Sequence, residues 1–555
     1  MGMQPPYVLL IYSAPGAGAN DTWMNFLPIG LTYIQAMLKS RGFPCKLANL
    51  SGMPKKKISE YIQTIKPDLV GVSMFTFNRK RSRELIKVIR KSCPGAFLLA
   101  GGPHPTHLAE EVFRDCPELD AIVCGEGETP MLEIVKHMAL GEDWRESPSL
   151  ILPNGTRTAM AEPIGDLDTI GLPAEYFEAD FFDDYSHLGY LSTSRGCPAS
   201  CAFCNTPEFW GRNVRFRSPL SVMREMQTLW GKYGLTCFNF RDDAFTTNKS
   251  RVLALCETIK SSGIYPLWSC QSRINLIDEE RLVALVRAGC EFIQFGVEHG
   301  SERMLKKLGK EADMEQIYRV LSIVRKVGVN LGIYLITGIP GETMEDVKMS
   351  ENLIKRALPH DVQISPLAVY PGTRLYYELR ASGKLPPDFY RKARDIEVFA
   401  RKDENIIIKA VDETTEPGRV KQFKVAGSVS IGAQRSYVDA HTAEALERLS
   451  QTAERTRIRA RYTMDDFRRQ KRFLGWCATT NILCGEAAED AGDAQEAYNQ
   501  YSEIIKREPN NPWGWLKRGL LNIRQKNHSA ASSDLLEVLR ITPNNYEAVA
   551  ALRYV

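Results

Sequence analysis

No run of 18 apolar residues occurs anywhere in the 555-residue chain, so it offers no membrane-spanning helix. The apolar stretch Tyr7–Tyr12 is short and has no basic leader, and no secretory signal is read there. An excess of one charge is missing too: 71 Lys and Arg against 67 Asp and Glu leave a net +4, which is no footprint of a nucleic-acid binder. Nor is the composition biased, because 44% hydrophobic, 25% charged and 9% aromatic residues exclude a disordered chain, a collagen and a coiled-coil rod. These absences predict a cytoplasmic globular protein, and its length, at about 150 residues per domain, predicts three to four domains.

What is present begins with cysteine. In a reducing compartment, thirteen cysteines read as metal ligands, redox groups or buried small side chains rather than disulfides. Most are scattered, but Cys197, Cys201 and Cys204 form C-x-x-x-C-x-x-C, a spacing that chance would produce about 0.007 times in this chain.

Residues 1–145 alternate apolar strands (Tyr7–Tyr12, Cys45–Leu50, Asp68–Met74, Ala96–Ala100, Asp120–Cys124) with helices (Ile29–Ser40, Lys57–Ile65, Arg79–Lys91, Thr106–Arg114, Glu128–Met138), which predicts a five-stranded, flavodoxin-like doubly wound α/β sheet. Residues 146–186 are broken by prolines and by Asn154-Gly155, and predict an ordered linker with a hairpin turn between 149–152 and 156–159. Residues 187–385 carry strands at Gly189–Ser194, Thr236–Arg241, Pro266–Gln271, Phe292–Gly296, Asn330–Ile336 and Val362–Val369, with helices between them, and predict a partial (β/α)6 barrel. Residues 386–474 read as a mostly helical basic connector, with possible strands at Asn405–Val411 and Lys421–Val429. Its segment from Arg448 to Arg472 carries nine basic and three acidic residues, either a solvated helix face or a dock for an acidic partner. Residues 475–555 repeat at a period of 34, with Pro509-Asn510-Asn511 returning as Pro543-Asn544-Asn545, Gly485 as Gly519 and Ala497 as Ala531. With Trp515 in place this resembles tetratricopeptide repeats, an α-helical tail expected to pack on the preceding helices or on a partner protein.

Three clustered thiolates leave one coordination position open, which suits a catalytic zinc or an iron–sulfur cluster with one free iron. No fourth ligand stands at knuckle spacing, since His187 precedes the cluster and Cys237 sits on a strand. Pro198 discourages a helix, so the thiols are expected on a loop at the carboxyl end of a barrel strand.

The run Ser194-Arg195-Gly196-Cys197-Pro198-Ala199-Ser200-Cys201-Ala202-Phe203-Cys204 resembles the cluster loop of the radical S-adenosylmethionine superfamily. The resemblance implies that the three cysteines hold a [4Fe-4S] cluster, that S-adenosylmethionine binds the open iron, and that reduction yields a 5′-deoxyadenosyl radical. By the same resemblance Phe203, Asp242, Arg273, Glu298 and the turn Gly338-Ile339-Pro340-Gly341 bind S-adenosylmethionine. His299 stands where the family has serine, either a substrate-facing acid/base or a satisfied surface residue. Asp243, Tyr334 and Tyr370 fall where a barrel points residues inward and are the catalytic candidates.

The first domain resembles the cobalamin-binding domain of the bacteriochlorophyll cyclase and cobalamin-dependent methylase group, through Leu27-Pro28-Ile29-Gly30-Leu31, Gly101-Gly102-Pro103-His104-Pro105-Thr106 and Val123-Cys124-Gly125-Glu126-Gly127-Glu128. That assigns Pro28, Gly30, Ser73, Gly101, Gly102, Pro103, His104, Gly125, Glu126 and Gly127 to cobalamin. No Asp-x-His-x-x-Gly element is present, so no histidine from that motif is expected on cobalt. Two domains of these kinds imply methylation of an unactivated carbon through the 5′-deoxyadenosyl radical and methylcobalamin. Radical oxidation, cyclisation or rearrangement without methyl transfer, and a cobalamin-binding regulator or scaffold, are the alternatives. The implied partners are a small-molecule or carrier- or peptide-bound substrate and an electron donor such as flavodoxin or ferredoxin; nucleic acid and a membrane span are not among them.

Overall fold

The computed structural model describes residues 4–14, 28–178, 188–392, 406–412, 419–425, 430–431 and 440–555. The first sheet contains β1 (Val8–Tyr12), β2 (Cys45–Asn49), β3 (Leu69–Ser73), β4 (Phe97–Gly101), β5 (Ala121–Val123) and β6 (Leu150–Ile151), in the order β2-β1-β3-β4-β5-β6. Every residue of β1 and β3 is buried, as the central strands of a sheet covered by helices on both faces must be. The first five strands follow the expected order. The sixth is a correction: β6 comes from the segment read as a linker and pairs antiparallel with β5, Ile122 opposite Ile151. The hairpin at Asn154-Gly155 forms as read, with Gly155 N donating to Leu152 O and Leu152 N to Thr156 O.

The second α/β unit contains β7 (Tyr190–Leu191), β8 (Ser194–Arg195), β9 (Arg215–Phe216), β10 (Cys237–Phe240), β11 (Leu267–Arg273), β12 (Cys290–Glu298), β13 (Asn330–Thr337) and β14 (Asp361–Pro366). Beyond it lie β15 (Ile406–Asp412), β16 (Arg419–Val425) and β17 (Ser430–Ile431). A parallel seven-stranded sheet runs β17-β14-β13-β12-β11-β10-β7. Two expectations are corrected here. The strand read over Gly189–Ser194 is split into β7 and β8, because Thr193 N is drawn to the Asp242 carboxylate at 2.6 Å instead of joining the ladder. The barrel also gains a seventh strand, β17, from the connector, whose other strands β15 and β16 pair antiparallel. Residues 426–429 of the strand read at Lys421–Val429 lie outside the described residues.

Alternation along these strands separates two environments. Phe238, Phe240, Trp268, Cys270, Ile293, Phe295, Leu331, Ile333, Val362 and Ile364 join the main apolar core. Their neighbours in sequence turn into the lumen. In the connector, helix Ala440–Ala460 docks on helix Met344–Ala357 through Arg448, whose guanidinium reaches both Glu351 oxygens at 2.8 and 3.1 Å.

The tail is helical: one helix of each repeat begins at Ala478, Pro512 and Tyr546, each 34 residues after the last, and the intervening ones begin at Ala494 and His528, again 34 apart. It packs on the barrel, under its base. Leu267 at the start of β11 shares a core with Ile482, Ile504, Trp513 and Leu516, and Trp513 Nε1 donates to Tyr265 O at 2.9 Å. Thr479 Oγ1 donates to Val286 O at 3.0 Å, just before β12, and a Cβ on Gly234, just before β10, would meet Asn544 at 2.3 Å. All these contacts lie at the amino ends of strands, so the mouth at the carboxyl ends is left to the cobalamin-like domain.

Candidate functional site

Cys197, Cys201 and Cys204 follow β8 on the expected loop. Gly196, at φ +98°, turns the chain into it, and a Cβ there would stand 2.9 Å from Asn213 O. Two backbone bonds pin the loop: Ala202 N donates to Leu308 O at 2.8 Å and Leu375 N to Ala202 O at 2.9 Å. Arg273, at the end of β11, donates Nη1 to Cys201 Sγ at 3.3 Å and pairs with Glu311 at 3.2 Å. Burial pushes the Cys204 thiol up to about 11, so it stays a thiol until a metal takes the place of its proton. Among the described residues no three Cys, His, Asp or Glu side chains are grouped to hold one metal ion. Three thiols on one loop, each able to take a different iron, fit a cubane with one iron left open.

Asp243 accepts from Thr206 Oγ1 at 2.9 Å; burial, with Asp242 adding to it, raises its carboxyl to about 6. Its side chain is open to solvent. Tyr370 lies close enough to Cys204 to feel its charge, and burial raises its phenol. Tyr334 accepts from Gln271 Nε2 at 2.8 Å on the lumen side of β13. Asp242 is a correction: it is 1% exposed, and its carboxylate is consumed by Thr193 N at 2.6 Å, Ser194 Oγ at 2.9 Å and Thr193 Oγ1. It joins β8 to β10 and is not free to take a ligand.

Glu298 ends β12 with φ +73°, left-handed backbone that a non-glycine residue adopts only under strain. The ladder shifts register at that point, and the side chain folds back over Gly296, where a Cβ would come within 2.6 Å of Glu298 Oε1. Lys310 Nζ, which the sequence reading missed, holds it at 3.1 Å and also donates to Gly296 O at 2.8 Å. Ile339 of the 338–341 turn packs with Ile336 and Leu367, and Phe203 leans on the same cluster, so these two predicted residues share one apolar wall. Pro340 O accepts from Lys307 Nζ, which also faces Gly341, and Gly338 N donates to Glu342 Oε2 at 2.9 Å.

His299 fits neither of its readings. It is 1% exposed and buried behind the turn: Nδ1 accepts from Ser301 N at 2.9 Å, which leaves the proton on Nε2 to be donated to Glu342 Oε1 at 3.0 Å. It is a positioning residue for the 338–342 turn.

The loops after β3, β4 and β5 carry the cobalamin candidates. Ser73 lies opposite Gly101 in register, and Gly102, at φ +107°, leaves room that a Cβ would close by approaching Met74 O at 2.8 Å. Gly125 N donates to Thr106 Oγ1 at 3.1 Å, Pro28 precedes helix Ile29–Lys39, Gly30 and Pro103 lie within first turns, and nothing stands within 4 Å of a Cβ on Gly30. Such open, glycine-lined strand ends fit a large planar cofactor. Residues 15–27, including Asn20-Asp21-Thr22-Trp23 and Leu27, lie outside the described residues.

Three cobalamin assignments are corrected. His104 is 4% exposed beneath the Tyr390 ring, 5.6 Å between centroids, and burial with Arg79 nearby lowers it to about 3. Glu126 accepts from Arg195 at 2.8 Å and from Arg215, and Gly127 packs on Ile34, where a Cβ would meet Cδ1 at 2.6 Å. Glu126 belongs to the seam between the domains, as does Gly372, whose Cβ would strike His107 at 2.5 Å, while Gly127 is packed inside the first domain against helix Ile29–Lys39.

Known proteins carry the same pair of domains. The radical SAM superfamily pattern matches residues 191–354 and the B12-binding domain pattern residues 24–135. An uncharacterized methyltransferase of Pyrococcus horikoshii is 30% identical over 377 residues, 67% of this chain and 82% of that protein. The chain belongs to the cobalamin-binding branch of the radical SAM superfamily. Another relative of this radical SAM enzyme is the cytidylyl-2-hydroxyethylphosphonate methyltransferase of Streptomyces wedmorensis, 27% identical over 69% of this chain and 83% of its own. Among solved structures, the radical SAM methyltransferase TsrM of Kitasatospora setae, with cobalamin and a [4Fe-4S] cluster bound, shares the fold at a TM-score of 0.59 and 19% identity, over 74% of this chain and 78% of that one. The cofactors of this radical SAM enzyme are accordingly a [4Fe-4S] cluster, S-adenosylmethionine and cobalamin.

Proposed function

We propose that the enzyme methylates an unactivated carbon of a small molecule. The observation that carries this reading is the seam at the cluster loop. Arg195, two residues before Cys197, is ion-paired to Glu126 and Glu128 beside the glycine-lined strand ends of the cobalamin-binding domain. The seam ties the loop proposed for the cluster to the strand ends proposed for cobalamin, a proximity that hydrogen abstraction and methyl delivery at the same carbon require. When bound, the cluster with S-adenosylmethionine supplies a hydrogen-abstracting radical, and cobalamin supplies a transferable methyl group.

The chain's own residues do the positioning. Cys197, Cys201 and Cys204 are the proposed cluster ligands, with the Arg273 guanidinium against Cys201. Glu298, fixed by Lys310, is proposed for the ribose hydroxyls, and Phe203 with the Gly338–Gly341 turn for the adenine. Asp243, Tyr334 and Tyr370 are proposed to line the substrate cleft, and Ser73, Gly101, Gly102 and Gly125 the cobalamin face. A low-potential donor such as a flavodoxin or ferredoxin is the proposed electron source.

One C–H bond, two S-adenosylmethionines and two electrons balance against the methylated carbon, 5′-deoxyadenosine, methionine and S-adenosylhomocysteine. Anaerobic reconstitution with substrate and dithionite is expected to form 5′-deoxyadenosine and S-adenosylhomocysteine in equal amounts. Substrate-dependent 5′-deoxyadenosine without S-adenosylhomocysteine would instead establish radical oxidation or cyclisation.

A further inference from the structure

The lumen of the partial barrel is mostly polar, with Phe292 its apolar member near the base. Successive rows across the sheet put Asn239 opposite Ser269, Gln271 opposite Gln294, and Tyr334 opposite Gln363, all turned away from the apolar core. Some of these groups bond to one another: Asn239 Nδ2 donates to Ser269 Oγ at 2.7 Å and Gln271 Nε2 to Tyr334 Oη at 2.8 Å. One is left over, because Asn239 Oδ1 is buried without a hydrogen-bond partner. Two cations face this space, and Arg273 is already engaged by Cys201 and Glu311. Arg241, following β10, lies with Cζ 5.6 Å over the Tyr190 ring on β7, is exposed, and makes no ion pair among the described residues. Tyr334, across the lumen, is half-buried and feels the charge of Arg241 together with those of Asp361 and Glu298.

A hydrocarbon or a largely apolar macrocycle entering this lumen would displace water from the amides and hydroxyls and return no hydrogen bonds. A cation would meet Arg241, while the nearby carboxylates are already engaged, Glu298 by Lys310 at 3.1 Å and Asp243 by Thr206 Oγ1 at 2.9 Å. We infer that the substrate is a polar, hydrogen-bonding small molecule that carries an anionic group, a carboxylate or a phosphorus oxyanion, and that Arg241 takes this group. The inference rests on the proposed function for the identity of the site, while the substrate class is read from the lumen alone.

The test separates the two. An extract of the source cells is partitioned between water and chloroform, and the aqueous phase is split on an anion exchanger into retained and unretained fractions. Each fraction is given to the reconstituted enzyme with reductant and methyl-labelled S-adenosylmethionine. Acceleration of 5′-deoxyadenosine formation by the retained fraction is the expected result. Acceleration by the chloroform or unretained fraction, or by none, overturns the inference. Label in the product belongs to the proposed function: its absence alongside acceleration by the retained fraction overturns methylation and leaves the substrate class standing. Arg241→Gln, at matched iron content, is expected to need about tenfold more retained fraction for half-maximal acceleration, with Arg241→Lys between it and the parent. An unchanged dose response in Arg241→Gln removes that residue from the proposal.

Discussion

Arg195 donates Nη1 to Glu126 Oε2 at 2.8 Å across the boundary between the two α/β domains, and turns its other nitrogen to Glu128. Its guanidinium is 5% exposed and lies between the rings of Tyr33 and Trp210, at 5.1 and 4.8 Å. A charge so deeply buried is tolerated because both terminal nitrogens meet a carboxylate and the guanidinium lies near two π surfaces. The link is also directional: it fixes the strand that feeds the cysteine loop to the loop after β5 that opens the cobalamin face.

Removing one partner should therefore cost more than a surface ion pair would. Arg195→Met leaves Glu128 buried without its cation, an expected loss of about 3–5 kcal/mol. Urea unfolding of the apoprotein followed by tryptophan fluorescence measures it, and a loss under about 1 kcal/mol would mean that the pair is solvated in solution.

Cys201→Ala is expected to abolish iron binding and 5′-deoxyadenosine formation. Cys237→Ala, at the amino end of β10 on the opposite side of the barrel, should keep both. Iron analysis and anaerobic product assay read the difference, and an iron-loaded Cys201→Ala protein that still forms the product would remove the loop from the chemistry.

The strands, the cysteine loop and the 338–341 turn were legible in the sequence because each is local: an apolar run, a spacing, a pair of glycines. Errors arose where a side chain answers to a residue far along the chain. Glu126 stands in a glycine-rich motif that reads as a ligand loop, yet its partners are Arg195 and Arg215. Asp242 sits beside an accessible acid and is spent on Thr193 and Ser194. His104 became unavailable only when Tyr390 closed over it. The polar alternation of Cys237, Asn239 and Arg241 was there to be read, but which face was the lumen required the sheet.

Glu342 should give the turn an acid limit. Burial alone would raise its carboxyl, but hydrogen bonds involving His299, His441, Gly338 and Thr337 win and lower it to about 2. A folded value below the unfolded one means stability that is present above about pH 4.5 and lost as pH falls toward 2, at most about 3 kcal/mol. Apoprotein unfolding between pH 5 and about 3 should show that decline, and Glu342→Gln should flatten it while lowering stability at pH 7 by about 1–3 kcal/mol. A decline of equal steepness in the variant would assign the acid limit to Asp346, which Ser301, Thr343 and Arg303 hold below its usual range.

The opposite sign is expected under the barrel. Glu291, at the start of β12, faces the tail: burial and the anions Glu486 and Glu547 raise it to about 7, against the attraction of Lys517, which is itself paired to Glu486 at 2.6 Å. Here the folded state binds the proton more tightly, so stability is full below about pH 4.5 and falls as pH rises through about 7. Glu291→Gln removes the titration and should stabilise the chain at pH 8 by about 1–2 kcal/mol after solvent screening, with little change at pH 5. Thermal unfolding at the two pH values measures this, and Trp513→Ala, which opens the joint between tail and barrel, should shrink the Glu291→Gln gain by letting water reach the carboxylate. A gain of the same size at pH 5 and pH 8 would show that the amide simply packs better there for reasons of shape, and the tail would then have no part in setting the proton affinity of the barrel base.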